Sequence, residues 1–127
     1  MKKTSKKILI LPYHLDNKLR DLEYLSEGIL EELLSLVATN SNVKTTSRTT
    51  SLYLKNNPLP LNEIKERYNV DVVVEGNIKE KDGSYLISTR LFDTTKDEQI
   101  LSKQSPISLE KWTQPLDKLV HEILSSR

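Results

Sequence analysis

Short apolar runs and helical periodicities alternate along this chain. An apolar run at residues 8–11, which ends at Pro12, is typical of a strand that is buried on both faces. The longest helical pattern spans residues 21–39, where leucine, isoleucine and valine recur every three or four positions. Gly28 lies inside this pattern at a cost of about 1 kcal/mol relative to alanine. We therefore expect it to allow a close approach between the helix and a sheet.

The rest of the chain is dominated by strand patterns. Four further strands are predicted, at residues 43–46, 70–78, 85–92 and 99–104. Asp82 and Gly83 predict a tight hairpin turn between two of them, because a type I′ turn needs positive φ at both central positions. Two shorter helices are predicted to begin at Pro60 and Pro115. Residues 47–59 show neither period and are expected to be irregular.

This order of elements predicts an α/β fold with three layers. Strand-helix-strand connections make the first three strands parallel, with right-handed crossovers. The two tight turns that follow add an antiparallel fourth strand and a last strand parallel to the third. The result is a mixed five-stranded sheet in the order 2-1-3-4-5, with helices on its faces. The weak, polar second strand suits an edge of that sheet.

Composition narrows the classes of function. The chain has 127 residues, with 19 Lys and Arg against 18 Asp and Glu, so we expect no direct contact with nucleic acid. We interpret residues 1–7, which hold its only basic run, as a flexible tail before a single domain at 8–127. Because the mean hydropathy is −0.49 and the apolar runs are short, we expect no membrane span and no export signal. Without cysteine there is no disulfide, thiol nucleophile or Cys-ligated metal.

Sequence motifs for catalysis are absent. The chain has no G-x-x-x-x-G-K-[ST], G-x-G-x-x-G or G-x-S-x-G motif, and its two histidines, His14 and His121, do not form a metal-binding pair by spacing. We therefore predict no catalytic residue, metal or cofactor. Trp112 precedes the last helix and is interpreted as a hydrophobic contact between elements.

One candidate site follows from the strand order. In open α/β sheets, ligands bind outside the carboxyl ends of the strands where the strand order reverses, here between the first and third strands. The side chains expected on this rim, for a ligand or a partner, are Tyr13, His14, Arg48, Glu75 and Gly76. The alternative is that Arg48 and Glu75 form a structural ion pair or capping set. Because the third strand continues into a hairpin, the crevice is expected to be partly filled.

Several segments resemble TolB amino-terminal-like domains, which occur in bacterial transcriptional regulators and adenylate cyclases beside tetratricopeptide repeats. Residues 8–13 resemble the family's "IAVLPF" strand, and residues 24–33 are similar to "YLADGLTEEL". Residues 43–51 resemble "LRVVARTSS", residues 64–78 resemble "IGRELGVDYVLEGSV", and residues 90–93 resemble a "QLIDA" strand end. The chain departs from the family at Glu27, where Asp is common, at Leu101, where Trp is common, and in a turn at 94–97 that lacks glycine.

The resemblance implies the three-layer α/β fold and no catalytic activity. It favours a sensor or interaction domain of a bacterial signalling or transcriptional regulator, which binds a protein partner, adjoining domains or a small ligand. The alternative is an envelope or assembly protein of the TolB or flagellar accessory kind, and a small enzyme acting on a nucleotide or sugar phosphate ranks third. The location, cytoplasmic or periplasmic, stays open. Strand addition at residues 43–46 is one predicted docking mode, and pairing with a second copy there would give a homodimer.

Overall fold

Strands and helices alternate in the first half of the molecule, and long strands dominate the second. The computed structural model describes residues 6–40 and 42–125, apart from the side chains of residues 17, 18 and 20. The elements, in chain order, are β1 (Lys6–Ile10), β2 (His14–Leu15), a 3-10 helix (Asn17–Leu22), α1 (Glu23–Ala38), β3 (Val43–Thr45), α2 (Arg48–Asn56), α3 (Leu61–Tyr68), β4 (Val72–Lys81), β5 (Ser84–Asp93), β6 (Glu98–Ile107) and α4 (Gln114–Ser125).

The strands form one mixed sheet in the order β3-β1-β4-β5-β6. β1 pairs in parallel with β3 and β4, whereas β5 pairs antiparallel with β4 and β6. The predicted order and strand directions are therefore confirmed. The sheet has six strands rather than five, because the short β2 adds a parallel pair with the second half of β4.

The helices cover the two faces of the sheet unequally. α1 and α4 pack on one face, where the larger core contains Ile8, Ile10 and Val74. The other face has a smaller core with Leu9, Leu54, Ile64, Val70 and Val73. Successive residues of β1 thus enter opposite cores, which is why its apolar run is continuous.

One element differs from the sequence prediction. Residues 47–59 were expected to be irregular, but α2 occupies Arg48–Asn56. Ser47 caps the helix, since its side chain accepts a hydrogen bond from the Thr50 N–H at 3.1 Å. The helix is short, contains β-branched threonines and buries only Ser51 and Leu54. Its hydrophobic pattern therefore covers too few turns to predict a helix from the sequence.

Local features of the chain agree with most expectations. Asp82 and Gly83 have φ of 53° and 80°, as the predicted hairpin turn requires. Gly28 was expected to let the helix approach the sheet, and this was wrong. A Cβ at this position would lie 2.8 Å from Trp112 Cη2, so the close neighbour of Gly28 is Trp112. Trp112 is therefore a hydrophobic contact between α1 and the segment before α4. Of the predicted tail, residues 1–5 lie outside the described residues, whereas Lys6 and Lys7 belong to β1.

Candidate functional site

Two of the five predicted rim residues are part of the interior. Tyr13 is fully buried, and its hydroxyl shares a 2.6 Å hydrogen bond with Thr89 Oγ1 on β5. Its carbonyl accepts a hydrogen bond from Ser26 Oγ on α1, also at 2.6 Å. Burial raises the pKa of Tyr13 well above its usual range. A Cβ on Gly76 would overlap the Ser88 carbonyl oxygen and lie 2.5 Å from Tyr13 Cε2, so glycine at this position lets the ring lie on β4.

The crevice expected between β1 and β4 is occupied by the chain itself. Beyond β1, the Leu11 N–H donates to the Val74 carbonyl at 2.9 Å. β2 then pairs in parallel with Asn77 and Ile78 of β4. The chain thus continues along β4 where the ligand was expected. This goes further than the partial filling predicted from the hairpin.

Arg48 and Glu75 do not meet. Arg48 Nε lies 3.2 Å from Glu31 Oε2 on α1, while Glu75 Oε1 lies 3.5 Å from Arg90 Nη2 on β5. All four side chains are a third or more exposed. Pairs of this kind stabilise a fold by about 0–1 kcal/mol, so they orient side chains more than they hold the fold. Arg48 is the first residue of α2, which follows β3 at the edge of the sheet.

His14 and Glu75 do share a surface, but it is a face of the sheet rather than the rim of a crevice. Directly paired residues on neighbouring strands point to the same face. The pairings His14–Asn77–Ser88–Gln104 and Glu75–Arg90–Ser102 therefore place seven polar residues together on the face opposite α1 and α4. Gln104 Nε2 donates to Ser88 Oγ at 3.1 Å across this surface. We call it the polar sheet face: His14, Glu75, Asn77, Ser88, Arg90, Ser102 and Gln104.

The polar sheet face is open to solvent because α2 and α3, the helices on that side of the sheet, do not extend over it. The smaller core reaches only to Val73 on β4 and Phe92 on β5. β4, β5 and β6 are each ten residues long, whereas β1 has five and β3 has three. A polar face on an antiparallel sheet is common on solvated surfaces. By itself it supports no functional conclusion.

The edge of the sheet next to this face is more unusual. Within the described part of the chain, β6 pairs only with β5, so one side of a ten-residue strand has no neighbour. A register shift skips Ile100, and both Ile100 and Leu101 then pack partly against the larger core. Lys103 and Pro106 are residues that natural edge strands use to limit pairing. Most of the strand nevertheless keeps a regular ladder with β5, from Leu101 to Ile107.

A groove runs between this edge and α4. Its inner part is a cleft of about 40 Å³ over Thr89 and Ile87 of β5. Shallower cavities continue from it past Pro106 and Gln114 toward the hairpin at Gly83. We call this surface the β6–α4 groove; its lining residues are Ile87, Thr89, Lys103, Ser105, Pro115, Asp117, Lys118, Leu119, His121 and Glu122.

The charges in the β6–α4 groove are only partly paired. Lys103 Nζ lies 3.2 Å from Glu122 Oε2 and joins β6 to α4. Lys118 lines both the inner cleft and the next cavity, and it has no ion pair among the residues that the structure describes. The sequence held few signs of this groove beyond Pro106 and Pro115, because its two sides belong to separate elements.

A second polar cluster, at the opposite end of β4, is structural. Asp71 Oδ2 accepts a hydrogen bond from the Lys7 backbone N–H at 2.9 Å, and Asp71 Oδ1 accepts one from Lys65 Nζ at 2.9 Å. The Thr94 hydroxyl donates to the carbonyl of Val70 at 2.6 Å. Burial works to raise the pKa of Asp71. The hydrogen bonds from Lys7 and Lys65 and the nearby lysine charges outweigh it, so the pKa is lowered. These bonds join β1, α3 and the start of β4.

Comparisons with known proteins identify the fold. No family model and no curated protein sequence matches the chain. Among solved structures it is similar to TolB from Acinetobacter baumannii, with a TM-score of 0.60 and 16% identity over 95% of this chain and 27% of that one. Lipoprotein GNA1162 from Neisseria meningitidis matches with a TM-score of 0.61 and 13% identity over 95% of this chain and 99% of that one. The LpoB C-terminal domain from Escherichia coli matches with a TM-score of 0.57 and 13% identity over 82% and 83%.

These similarities confirm the TolB-like fold predicted from the sequence segments. The chain spans about a quarter of the length of the TolB chain and nearly all of the GNA1162 chain. At these identities the similarity concerns the fold alone, and the context of a regulator with tetratricopeptide repeats stays a prediction. Within the described ranges, no helix has the length and hydropathy that a membrane crossing requires.

Proposed function

We propose that this chain is a non-catalytic interaction domain of a bacterial envelope protein, and that it binds a protein partner along β6. The observation that carries the proposal is the outer edge of β6, which is ten residues long, lies next to a groove and has no pairing strand among the described residues. Natural proteins usually shorten, cover or twist such an edge, because its free N–H and C=O groups recruit other strands. The edge strand expected for this role, β3, has only three residues.

Tyr13 and Asp71, whose pKa values are shifted, both have structural partners within the fold. Tyr13 is buried against Thr89, and Asp71 binds Lys7 and Lys65. Both are bound within the fold and lie outside the β6–α4 groove.

The similar structures favour the envelope over a regulator. One of them is a lipoprotein of almost the same aligned length, and bacterial lipoproteins are attached to membranes of the cell envelope. A sensor or interaction domain of a signalling or transcriptional regulator is the second candidate, since residues 8–13 and 24–33 resemble domains of that kind. Both candidates need a partner-binding surface, and they differ in the compartment where the partner lies.

The test is photo-crosslinking in the bacterium that produces the protein. A benzoylphenylalanine replaces Gln104 at the β6 edge in the full-length protein, and a matched variant carries it at Lys44, which is exposed on β3. After irradiation, crosslinked proteins are identified by mass spectrometry, and the cells are separated into envelope and cytoplasmic fractions. We expect one reproducible partner from position 104, none from position 44, and recovery of the protein in the envelope fraction.

Each outcome bears on one part of the proposal. Recovery only in the cytoplasm overturns the envelope assignment and favours the regulator. No partner from position 104, or from positions 77 and 118 on the two surfaces beside β6, overturns the interaction role. The same partners from positions 104 and 44 would mean nonspecific contact and also overturn it.

A further inference from the structure

We propose that residues 14–22 form a lid that opens as one unit while the other strands and α1 stay folded. The lid consists of β2 and the 3-10 helix that leads into α1. Its strand lies beside β4, whereas the proposed partner edge is the outer side of β6. The inference therefore goes beyond the interaction role and does not depend on it.

The two ends of the lid are fixed close together. Tyr13, directly before the lid, and Ser26, near the start of α1, are both buried, and Ser26 Oγ donates to the Tyr13 carbonyl at 2.6 Å. The Tyr13 side chain is fixed in turn by its hydrogen bond with Thr89 on β5. Compact surface loops whose ends meet in this way are frequently functional. The segment between these ends can leave the sheet without moving either attachment point.

Few contacts hold the lid itself. Of its side chains that the structure describes, only Leu19 is buried, while Leu15 and Leu22 are half-buried. β2 pairs with β4 over two residues, whereas β4 and β5 pair over ten. The helix of the lid is irregular, since Leu19 has φ of −108° and ψ of 22°. A segment with so few buried contacts opens at a lower free energy than the one that unfolds the sheet.

The closed lid masks part of the β4 edge. β1 pairs with β4 only from Val72 to Val74, and β2 is the next strand on that side, at Asn77 and Ile78. Covering an edge in this way protects it, because free N–H and C=O groups recruit strands from other chains. Opening of the lid uncovers the backbone of Asn77 and Ile78, and closing covers it again.

The test is amide hydrogen exchange of the full chain, measured by mass spectrometry of its peptides. Exchange of a protected amide follows the free energy of the opening that exposes it. We expect peptides from residues 14–22 to exchange about tenfold or more faster than peptides from β4 and β5. They are also expected to exchange more slowly than the same residues in the unfolded chain, because the lid is closed most of the time.

A core variant distinguishes opening of the lid from unfolding of the whole domain. Ile64 lies in the smaller core, on the opposite face of the sheet from Leu19. Ile64→Val therefore destabilises the closed and the lid-open states equally. We expect it to speed exchange in β4 and β5 about threefold or more and to leave exchange in residues 14–22 unchanged. Leu19→Ala removes a contact that only the closed state makes, so it is expected to speed exchange in both.

A chemical bridge tests whether movement away from β4 is what exposes the lid. Asp16 and Lys79 directly follow the paired residues Leu15 and Ile78, and the chain has no cysteine of its own. The double variant Asp16→Cys, Lys79→Cys is bridged with bismaleimidoethane, and the matched control is the same variant with both thiols blocked by N-ethylmaleimide. We expect the bridge to slow exchange in residues 14–22 about tenfold or more relative to the control. Circular dichroism and thermal unfolding show that both forms are folded.

Three results would overturn the inference. They are exchange in residues 14–22 as slow as in β4 and β5, exchange there that rises together with theirs in Ile64→Val, and equal exchange in the bridged and blocked forms. Exchange at the rate of the unfolded chain would also overturn it, because the lid would then not close. None of these results bears on the proposed function, which photo-crosslinking from position 104 tests separately on β6.

Discussion

The hydrogen bond between Tyr13 and Thr89 joins β5 to the segment that follows β1, and its contribution to stability can be measured. The two hydroxyl oxygens are 2.6 Å apart, and Tyr13 and Thr89 are 0% and 1% exposed. Tyr13→Phe deletes one partner and leaves the Thr89 hydroxyl buried without the other. A buried polar group without a partner costs about 1–3 kcal/mol, so we expect the free energy of unfolding to fall by that amount.

Thr89→Val removes the other partner with almost no change of shape. It leaves the Tyr13 hydroxyl unpartnered, so its cost is expected in the same range, about 1–3 kcal/mol. The double variant removes both hydroxyls and leaves no orphaned group. Its loss is therefore expected to be smaller than the sum of the two single losses by about 1 kcal/mol or more.

Urea unfolding provides the measurement, with free energies from linear extrapolation. Trp112 is the only tryptophan, and it packs against Gly28, so its fluorescence reports the loss of tertiary contacts. Single losses that add to the double loss within about 0.5 kcal/mol would refute the reasoning, since the two hydroxyls would then act independently.

Three further predictions concern the fold. Gly76→Ala is expected to lower the free energy of unfolding by about 1–3 kcal/mol, because the new methyl group would meet the Ser88 carbonyl in the ladder. Gly28→Ala is expected to cost less, since the indole ring of Trp112 can shift. Equal losses of the two variants in urea unfolding would contradict this. The lowered pKa of Asp71 means that its carboxylate stabilises the fold above its unfolded pKa, near 4, and that this contribution is lost as the pH falls through its folded value. The stability gap between the parent and Asp71→Asn should therefore be present at pH 7 and shrink below pH 4, and a gap independent of pH would argue against the assignment. Ser47→Ala is expected to cost about 1 kcal/mol through loss of the α2 cap, measured by thermal unfolding, and Thr49→Ala serves as the exposed control.

The sequence predicts an element correctly where buried apolar residues recur over several helical turns or along a whole strand. The continuous apolar run of β1, the β-branched start of β4 and the positive-φ turn at Asp82 and Gly83 each have a local physical cause. Sequence reasoning failed at α2, whose stability depends on one cap and two buried side chains. It also assigned Gly28 to the sheet, because a sequence does not show which element faces a glycine.

The structure groups the predicted rim residues differently from the sequence interpretation. His14 and Glu75 do lie near each other, but on the polar sheet face rather than around a crevice. Gly76 faces the opposite side of the sheet, because neighbours in β4 alternate, and the ring of Tyr13 packs against it there. Arg48 pairs with Glu31, a contact between two helices that no spacing along the chain reveals. A partner role for the exposed residues of this set stays a prediction.

By itself, the sequence determined most of the elements, their order and the mixed sheet, because hydrophobic period and turn chemistry act between residues close in the chain. The tertiary structure decided which surfaces those elements leave open. Tyr13 meets Thr89 across 76 positions, and the β6–α4 groove joins a strand to a helix that packs behind it. Such contacts depend on how helices of particular lengths cover strands of particular lengths. Here α2 and α3 pack over Leu9 and Val73 and leave the polar sheet face uncovered. Among the described residues, no strand pairs with the outer side of β6.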